Sequence, residues 1–212
     1  VKGMSLDMAN QPVTNISWEQ AALFCNWLSR KSGLTAFYES ENGSITRINW
    51  QSNGYRLPTE AEWAWTAKVD KQGLANQFPW NNNLYPPMEP VDNYADVSAK
   101  YLLPFTIAQY NDGYSVAAPV GSFEPNSKGL YNMAGNVSEW TNDYYDIQIS
   151  RGAAAIDPTG PQAGNRHVIR GASWALGSRS ELRSSFREAG FEARLDVGFR
   201  IARYVDNSGA VP

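Results

Sequence analysis

Apolar residues recur at helical spacing soon after Ser17, at Ala21, Phe24, Cys25 and Leu28. Steps of three and four residues predict an amphipathic helix. Ser17-Trp18-Glu19-Gln20 marks its start as a capping box, in which the Ser17 hydroxyl accepts from the Gln20 amide and the Gln20 side chain reaches back. Gly33 supplies the C-terminal stop. A second helix is predicted from Pro58-Thr59-Glu60-Ala61-Glu62, with Thr59 and Glu62 as another capping box and Trp63, Ala64 and Ala67 facing the core. Ala36–Glu39 and Ile45–Trp50 read as short strands around the turn Glu41-Asn42-Gly43-Ser44. Arg166–Gly171 and Val197–Ala202 read as two more.

From Gln72 to Ser127 no period is sustained, and Asn, Pro, Gly, Tyr and Asp dominate. A loop region of that length inside a compact domain is functional, disordered or held by ligands. The chain's 212 residues suit one domain, taken as 1–206, followed by a polar tail at 207–212 that is expected to fray. Eighteen basic against 21 acidic residues leave no basic footprint, so no nucleic-acid partner is expected. No apolar run approaches the roughly 20 residues needed to span a bilayer. Val1 is not a natural initiator, so a boundary made by processing is expected there, with any targeting segment outside the sequence.

One Cys and one His limit the chemistry more than any motif does. An internal disulfide, a thiolate zinc cluster and a three-histidine iron or zinc site are all excluded. Cys25 falls in the apolar stripe of the first helix and reads as a small buried hydrophobe. His167 precedes an apolar strand-like run and reads as a structural histidine.

Five segments in order carry a resemblance. They are Pro12-Val13-Thr14-Asn15-Ile16-Ser17-Trp18, Tyr55-Arg56-Leu57-Pro58-Thr59-Glu60-Ala61-Glu62-Trp63, Leu130-Tyr131-Asn132-Met133-Ala134-Gly135-Asn136-Val137-Ser138-Glu139-Trp140, Arg170-Gly171-Ala172-Ser173-Trp174 and Gly198-Phe199-Arg200. Together they resemble the formylglycine-generating enzyme (sulfatase-modifying factor) superfamily over residues 12 to 203. The resemblance implies an α+β, C-type-lectin-like fold with little regular structure, two main helices and short antiparallel strands, stiffened by calcium. Members usually carry strands before the Pro-Val-Thr-Asn segment that pair near the Gly-Phe-Arg strand. Another chain or segment supplying those strands is therefore one expected partner; a sheet closed differently is the other option.

Calcium takes six to eight hard oxygens from carboxylates, amides and backbone carbonyls. Residues Asn132 to Glu139 offer such a set in one short loop. Matched to the family, the ligands would be the side chains of Asn132 and Glu139 and the carbonyls of Gly135 and Val137. On the residues alone, Asn132 capping a turn and Glu139 lying at the surface fits as well. A second site resembling the family's other calcium loop would use the side chains of Asn93 and Asp112 and the carbonyls of Tyr94 and Tyr114. Weak calcium sites belong to extracellular modules, so an extracytoplasmic location, periplasmic, cell-envelope or secreted, is expected.

The family's oxidases hold copper(I) with two cysteines, three and eight residues after the Ser of the Ser-Trp pair. Here those positions are Leu176 and Glu181. No copper is expected, and a single histidine leaves no iron site of the kind other branches use. Ser173, Trp174, Arg179, Glu181, Arg183 and Arg187 occupy the region instead. Guanidinium groups bind carboxylate, phosphate or sugar oxygens, and Trp offers a stacking face, so a peptide, glycan or small-anion ligand is expected there. Alternatively Arg170, Arg183, Arg187 and Arg200 pair internally and only hold loops. An enzymatic reading would make Glu181 a general base, with Arg179 or Arg183 orienting a substrate. Variable proteins made by diversity-generating systems share the fold, but their variable sites are rich in Asn, Tyr, Ser and Asp, unlike Ala175 to Asp196.

Overall fold

The computed structural model describes residues 1–68, 76–80, 84–147 and 155–204. Helix α1 spans Trp18–Lys31, capped as its sequence predicts: Ser17 accepts from the Gln20 amide and Gln20 reaches back to the Ser17 amide. Its inner face carries Trp18, Ala21, Ala22, Cys25, Asn26 and Ser29. That stripe is rotated from the predicted one and leaves Phe24 exposed. The polar members are accommodated by bonds: the Asn26 amide both donates to and accepts from the Tyr38 backbone, and the Ser29 hydroxyl donates to the Cys25 carbonyl. Helix α2 spans Glu60–Lys68, with Thr59 and Glu62 forming the reciprocal cap.

Strands β1 (Tyr38–Glu41) and β2 (Ser44–Ile48) make an antiparallel hairpin. Asn42 and Gly43 both adopt positive φ, at 51° and 85°, as a two-residue mirror-image turn requires. The first strand thus begins two residues later than predicted. A four-stranded sheet follows the order β5-β4-β3-β6, formed by Arg187–Gly190, His167–Arg170, Ser138–Tyr144 and Val197–Phe199. β3 runs antiparallel to β4 and parallel to β6. β4 and β6 fall within predicted strands; β3 and β5 are additions. Within the described part of 72–127, regular structure is confined to a 3₁₀ turn at Val97–Ala99 and a bridge between Asp96 and Ile107. Among the described residues no helix is long and apolar enough to cross a membrane. The polar tail lies outside the described residues.

The main core packs α1 and the hairpin onto the sheet through Trp18, Cys25, Phe37, Tyr38, Leu57, Trp140, Ile169 and Val197. Gly190 leaves room for this packing, since a Cβ there would stand 2.5 Å from Ile169 and 2.7 Å from Trp140. A second core gathers Phe78, Trp80, Tyr94, Ile107, Tyr110 and Leu182 beneath the long loops. Arg56 is a buried cation: its side chain is 1% exposed and forks onto Glu62 at 2.6 and 2.7 Å. Removing one partner of such a pair strands the other charge. Glu62→Ala is expected to destabilise the fold by about 3 kcal/mol in urea unfolding, while Lys31→Ala, in the last turn of α1, changes it little.

His167 is structural, as predicted. Its ring stacks on Trp18 with centroids 3.6 Å apart and on Tyr144 at 4.4 Å, and Nδ1 bonds the Asn142 carbonyl. Burial pushes its pKa down to about 4. An unfolded histidine takes up its proton near pH 6.5, whereas the folded one resists to about 4. Stability contributed by this group is therefore present above pH 6.5 and lost as pH falls toward 4. The stability of wild type should decline more steeply across that window than that of His167→Gln, compared by chemical denaturation at each pH.

Candidate functional site

The two predicted calcium loops meet around Asn93, Asp92 and Asn136. In the Asn93–Asp112 loop, one Asp112 oxygen accepts from the Tyr94 amide and the other from the Tyr114 amide, both at 2.9 Å. This carboxylate brings the backbones of Tyr94 and Tyr114 together. Asn93 donates its Nδ2 to the Val116 carbonyl and to Asn136 Oδ1, which fixes the orientation of the amide. Its Oδ1 is buried and has no hydrogen-bond partner among the described residues. Asp96, fully buried, accepts from the Asp112 amide at 2.5 Å and from Ser98. Burial, reinforced by the neighbouring Asp96 and Asp92, pushes the Asp112 carboxyl up to about 7. The loop thus holds an orphaned amide oxygen on Asn93 and a half-buried Asp112 carboxylate crowded by the buried Asp92 and Asp96, and hard oxygens of these kinds are what a calcium ion takes.

The Asn132–Glu139 loop is organised differently. Asn132 Nδ2 and the amides of Ala134 and Gly135 all donate to Asp92. Gly135 is required there, because a Cβ would stand 2.6 Å from the Asn93 carbonyl. Glu139 is bonded elsewhere. Arg200 donates to both of its oxygens, at 2.6 and 2.7 Å, and the Trp63 indole donates at 2.7 Å. Another Arg200 nitrogen contact reaches the Asn132 carbonyl at 3.4 Å. The loop's predicted carboxylate is thus neutralised by an arginine, and this arrangement does not fit a divalent cation. Asp92, which gathers this loop, is not singled out by the sequence; nothing in its immediate pattern distinguishes it from other loop aspartates.

The region predicted to bind a ligand is largely interior. Ser173 is fully buried and donates to Asp196, and Trp174 is 4% exposed within a third apolar cluster beside Val116 and Val137. Trp174 therefore presents no stacking face, which corrects the sequence expectation. Arg187 forks onto Glu60 at 2.7 and 2.8 Å, with Arg170 3.4 Å from the same carboxylate. These two and Arg200 pair internally. Arg179 and Arg183 are exposed, and the Arg183 Nε donates to the Ser180 carbonyl. Glu181 accepts from the amides of Gly177 and Ser178, capping its own turn rather than lining a substrate cleft. Cys25, the sole thiol, is fully buried, and burial pushes it up to about 12.

Residues 3–205 match the family described as Sulfatase-modifying factor enzyme 1-like domain. The chain belongs to the formylglycine-generating enzyme family. Mouse formylglycine-generating enzyme is 34% identical over 171 residues, covering 80% of this chain and 37% of the relative. Mouse inactive C-alpha-formylglycine-generating enzyme 2 is 32% identical over 162 residues, covering 74% of this chain and 49% of that one. Among solved structures, Treponema denticola variable protein 1 superposes with a TM-score of 0.75 and 28% identity, over 95% of this chain and 74% of that chain. The fold is accordingly α+β and of the formylglycine-generating-enzyme type. The chain spans less than half the length of these curated relatives.

The Glu139 cluster yields a direct test. Arg200→Ala would leave a carboxylate whose side chain is 7% exposed with one indole partner. A loss of about 3–5 kcal/mol is expected by urea unfolding, with Arg200→Lys intermediate, because an ammonium cannot reproduce the two-point contact.

Proposed function

We propose that this chain is a non-oxidising member of the formylglycine-generating enzyme family that works as a calcium-stabilised recognition or assembly module outside the cytoplasm. One observation carries this reading: Leu176 and Glu181 stand where the family's copper thiolates stand, and the remaining thiol is sealed in the inner face of α1. A soft copper(I) ion needs sulfur, and neither side chain offers it. The curated inactive relatives show that the family also contains members named as inactive. Glu181 is engaged as a local cap, which weighs against its use as a general base.

Calcium is proposed at the Asn93–Asp112 loop, held by Asn93 Oδ1, the Asp112 carboxylate and the carbonyls of Tyr94 and Tyr114. Bound there, the ion would supply the positive charge the buried carboxylates lack and tie loop segments that have few ladder hydrogen bonds. A site that needs calcium to hold its loops fits the millimolar calcium outside cells.

Metal analysis of the purified protein is expected to show calcium and no stoichiometric copper or iron. A peptide bearing a target cysteine, incubated with the protein and copper(I), should keep its mass; conversion to the aldehyde would refute the non-oxidase reading. An ion present at about ten times its Kd stabilises the folded state by about 1.4 kcal/mol, so chelation should lower the melting temperature by about 3–6 °C. Asp112→Asn should abolish that difference. A melting curve indifferent to chelator and calcium would remove the ion from the proposal.

A further inference from the structure

Away from the loops described above, the hairpin and the sheet enclose a recess of about 300 Å³. Arg47, Ile48 and Trp50 line one side, and Tyr144, His167 and Asn142 the other. Its volume is at the lower end of small-molecule sites and suits one sugar ring or a little more. Trp50 and Tyr144 are half-buried, and both line the recess. Trp50 is held edge-on against Phe37, with centroids 5.2 Å apart, and Tyr144 is backed by His167. These are rigid apolar platforms.

The polar lining has a definite sign. No carboxylate is among the described residues that line the recess, and Arg47 is its one formal cation. Buried His167 stays uncharged at neutral pH. Arg47 is loosely held: its side chain is 75% exposed and lies 3.8 Å from Glu39, itself 51% exposed. It is therefore available to a ligand at small cost. At the floor, Asn142 is 3% exposed. The Tyr38 hydroxyl accepts from the Leu57 amide, so its own hydrogen goes to Asn142 Oδ1, 3.0 Å away. This orients the amide. Nδ2 donates to none of the described residues, and since Asn142 lines the recess this donor is open to a ligand there. Gln162 adds a second neutral donor and acceptor at the rim.

We infer that this recess binds a carboxylated monosaccharide unit of the hexuronic-acid type, stacked on Trp50 and Tyr144, with its carboxylate on Arg47 and a ring hydroxyl accepting from Asn142 Nδ2. Aromatic faces suit the C–H face of a sugar ring, neutral amides suit its hydroxyls, and the lone guanidinium selects the acidic sugar over its neutral counterpart. The site is separate from the proposed calcium loop and from the positions of the family's copper thiolates.

Methyl β-glucuronide and methyl β-glucoside, titrated into the intact chain and followed by NMR, test this. Saturable binding on the order of 1 mM is expected for the acid, with the neutral glycoside about tenfold weaker. Arg47→Gln should erase that preference while keeping the weaker neutral binding, and Trp50→Ala should weaken both about tenfold. Trp50 also packs on Phe37, so if Trp50→Ala misfolds, the exposed Arg47→Gln comparison decides alone. Absence of saturable binding, equal affinity for both glycosides in wild type, or an acid preference that survives Arg47→Gln would each overturn the inference.

Discussion

Glu139 lies at the start of β3, its second residue, paired across the sheet with Arg170 on one side and Gly198 on the other. So deeply buried an anion is tolerated only with partners. Trp63 brings α2 to it, and Arg200 brings the segment after β6. One side chain thereby joins a helix, the central strand and the C-terminal strand. The same device recurs around α2. Arg56 takes Glu62, while Arg170 and Arg187 share Glu60. Asp143 in β3 accepts from the Glu60 amide at the first turn of the helix. The short second helix is fixed by charge pairs at its start as much as by Trp63 and Ala67. In a chain with few long ladders, buried ion pairs with defined geometry set how the pieces meet.

That dependence explains which parts of the fold were readable. Caps and turns act locally, so Ser17–Gln20, Thr59–Glu62 and Asn42-Gly43 announce themselves in a few residues. β3 does not. Ser138 through Asp143 are all buried although most are polar, so the strand shows neither alternation nor an apolar run. Its polar side chains are satisfied by residues far along the chain, Trp63 and Arg200 among them. β5 reads Arg-Glu-Ala-Gly, an edge strand whose Gly190 makes way for Trp140, and such a strand carries no hydrophobic signature. The rotated face of α1 has a similar origin: Asn26 and Ser29 go inward because the Tyr38 backbone and the Cys25 carbonyl are there to meet them.

The site was legible in motif and less so in role. Family-pattern residues lie where the motifs suggest, but their side chains serve the interior: Ser173 and Trp174 pack, Arg187 anchors α2, and Glu181 closes a turn. Spacing identifies positions, whereas exposure and pairing decide what a position can do. Cys25 shows the converse. Composition alone made it the sole thiol, and its place on the inner face of α1 removes it from redox chemistry.

The two loops predicted to hold calcium differ mainly through a single arginine. Both offer an asparagine, a carboxylate and convergent carbonyls. In one, Arg200 reaches from the Gly-Phe-Arg segment, covers both oxygens of Glu139 and touches the Asn132 carbonyl. In the other, Asp112 and Asp96 adjoin with no arginine or lysine among the described residues bonded to either, and the Asn93 oxygen has no donor among them. A guanidinium is a fixed part of the fold, present under all conditions; an ion is exchangeable and depends on its surroundings. Holding the sheet with the first and the loops with the second would make the framework insensitive to metal. The loop segment that packs against Trp174 and Leu176 would then be the part that calcium rigidifies.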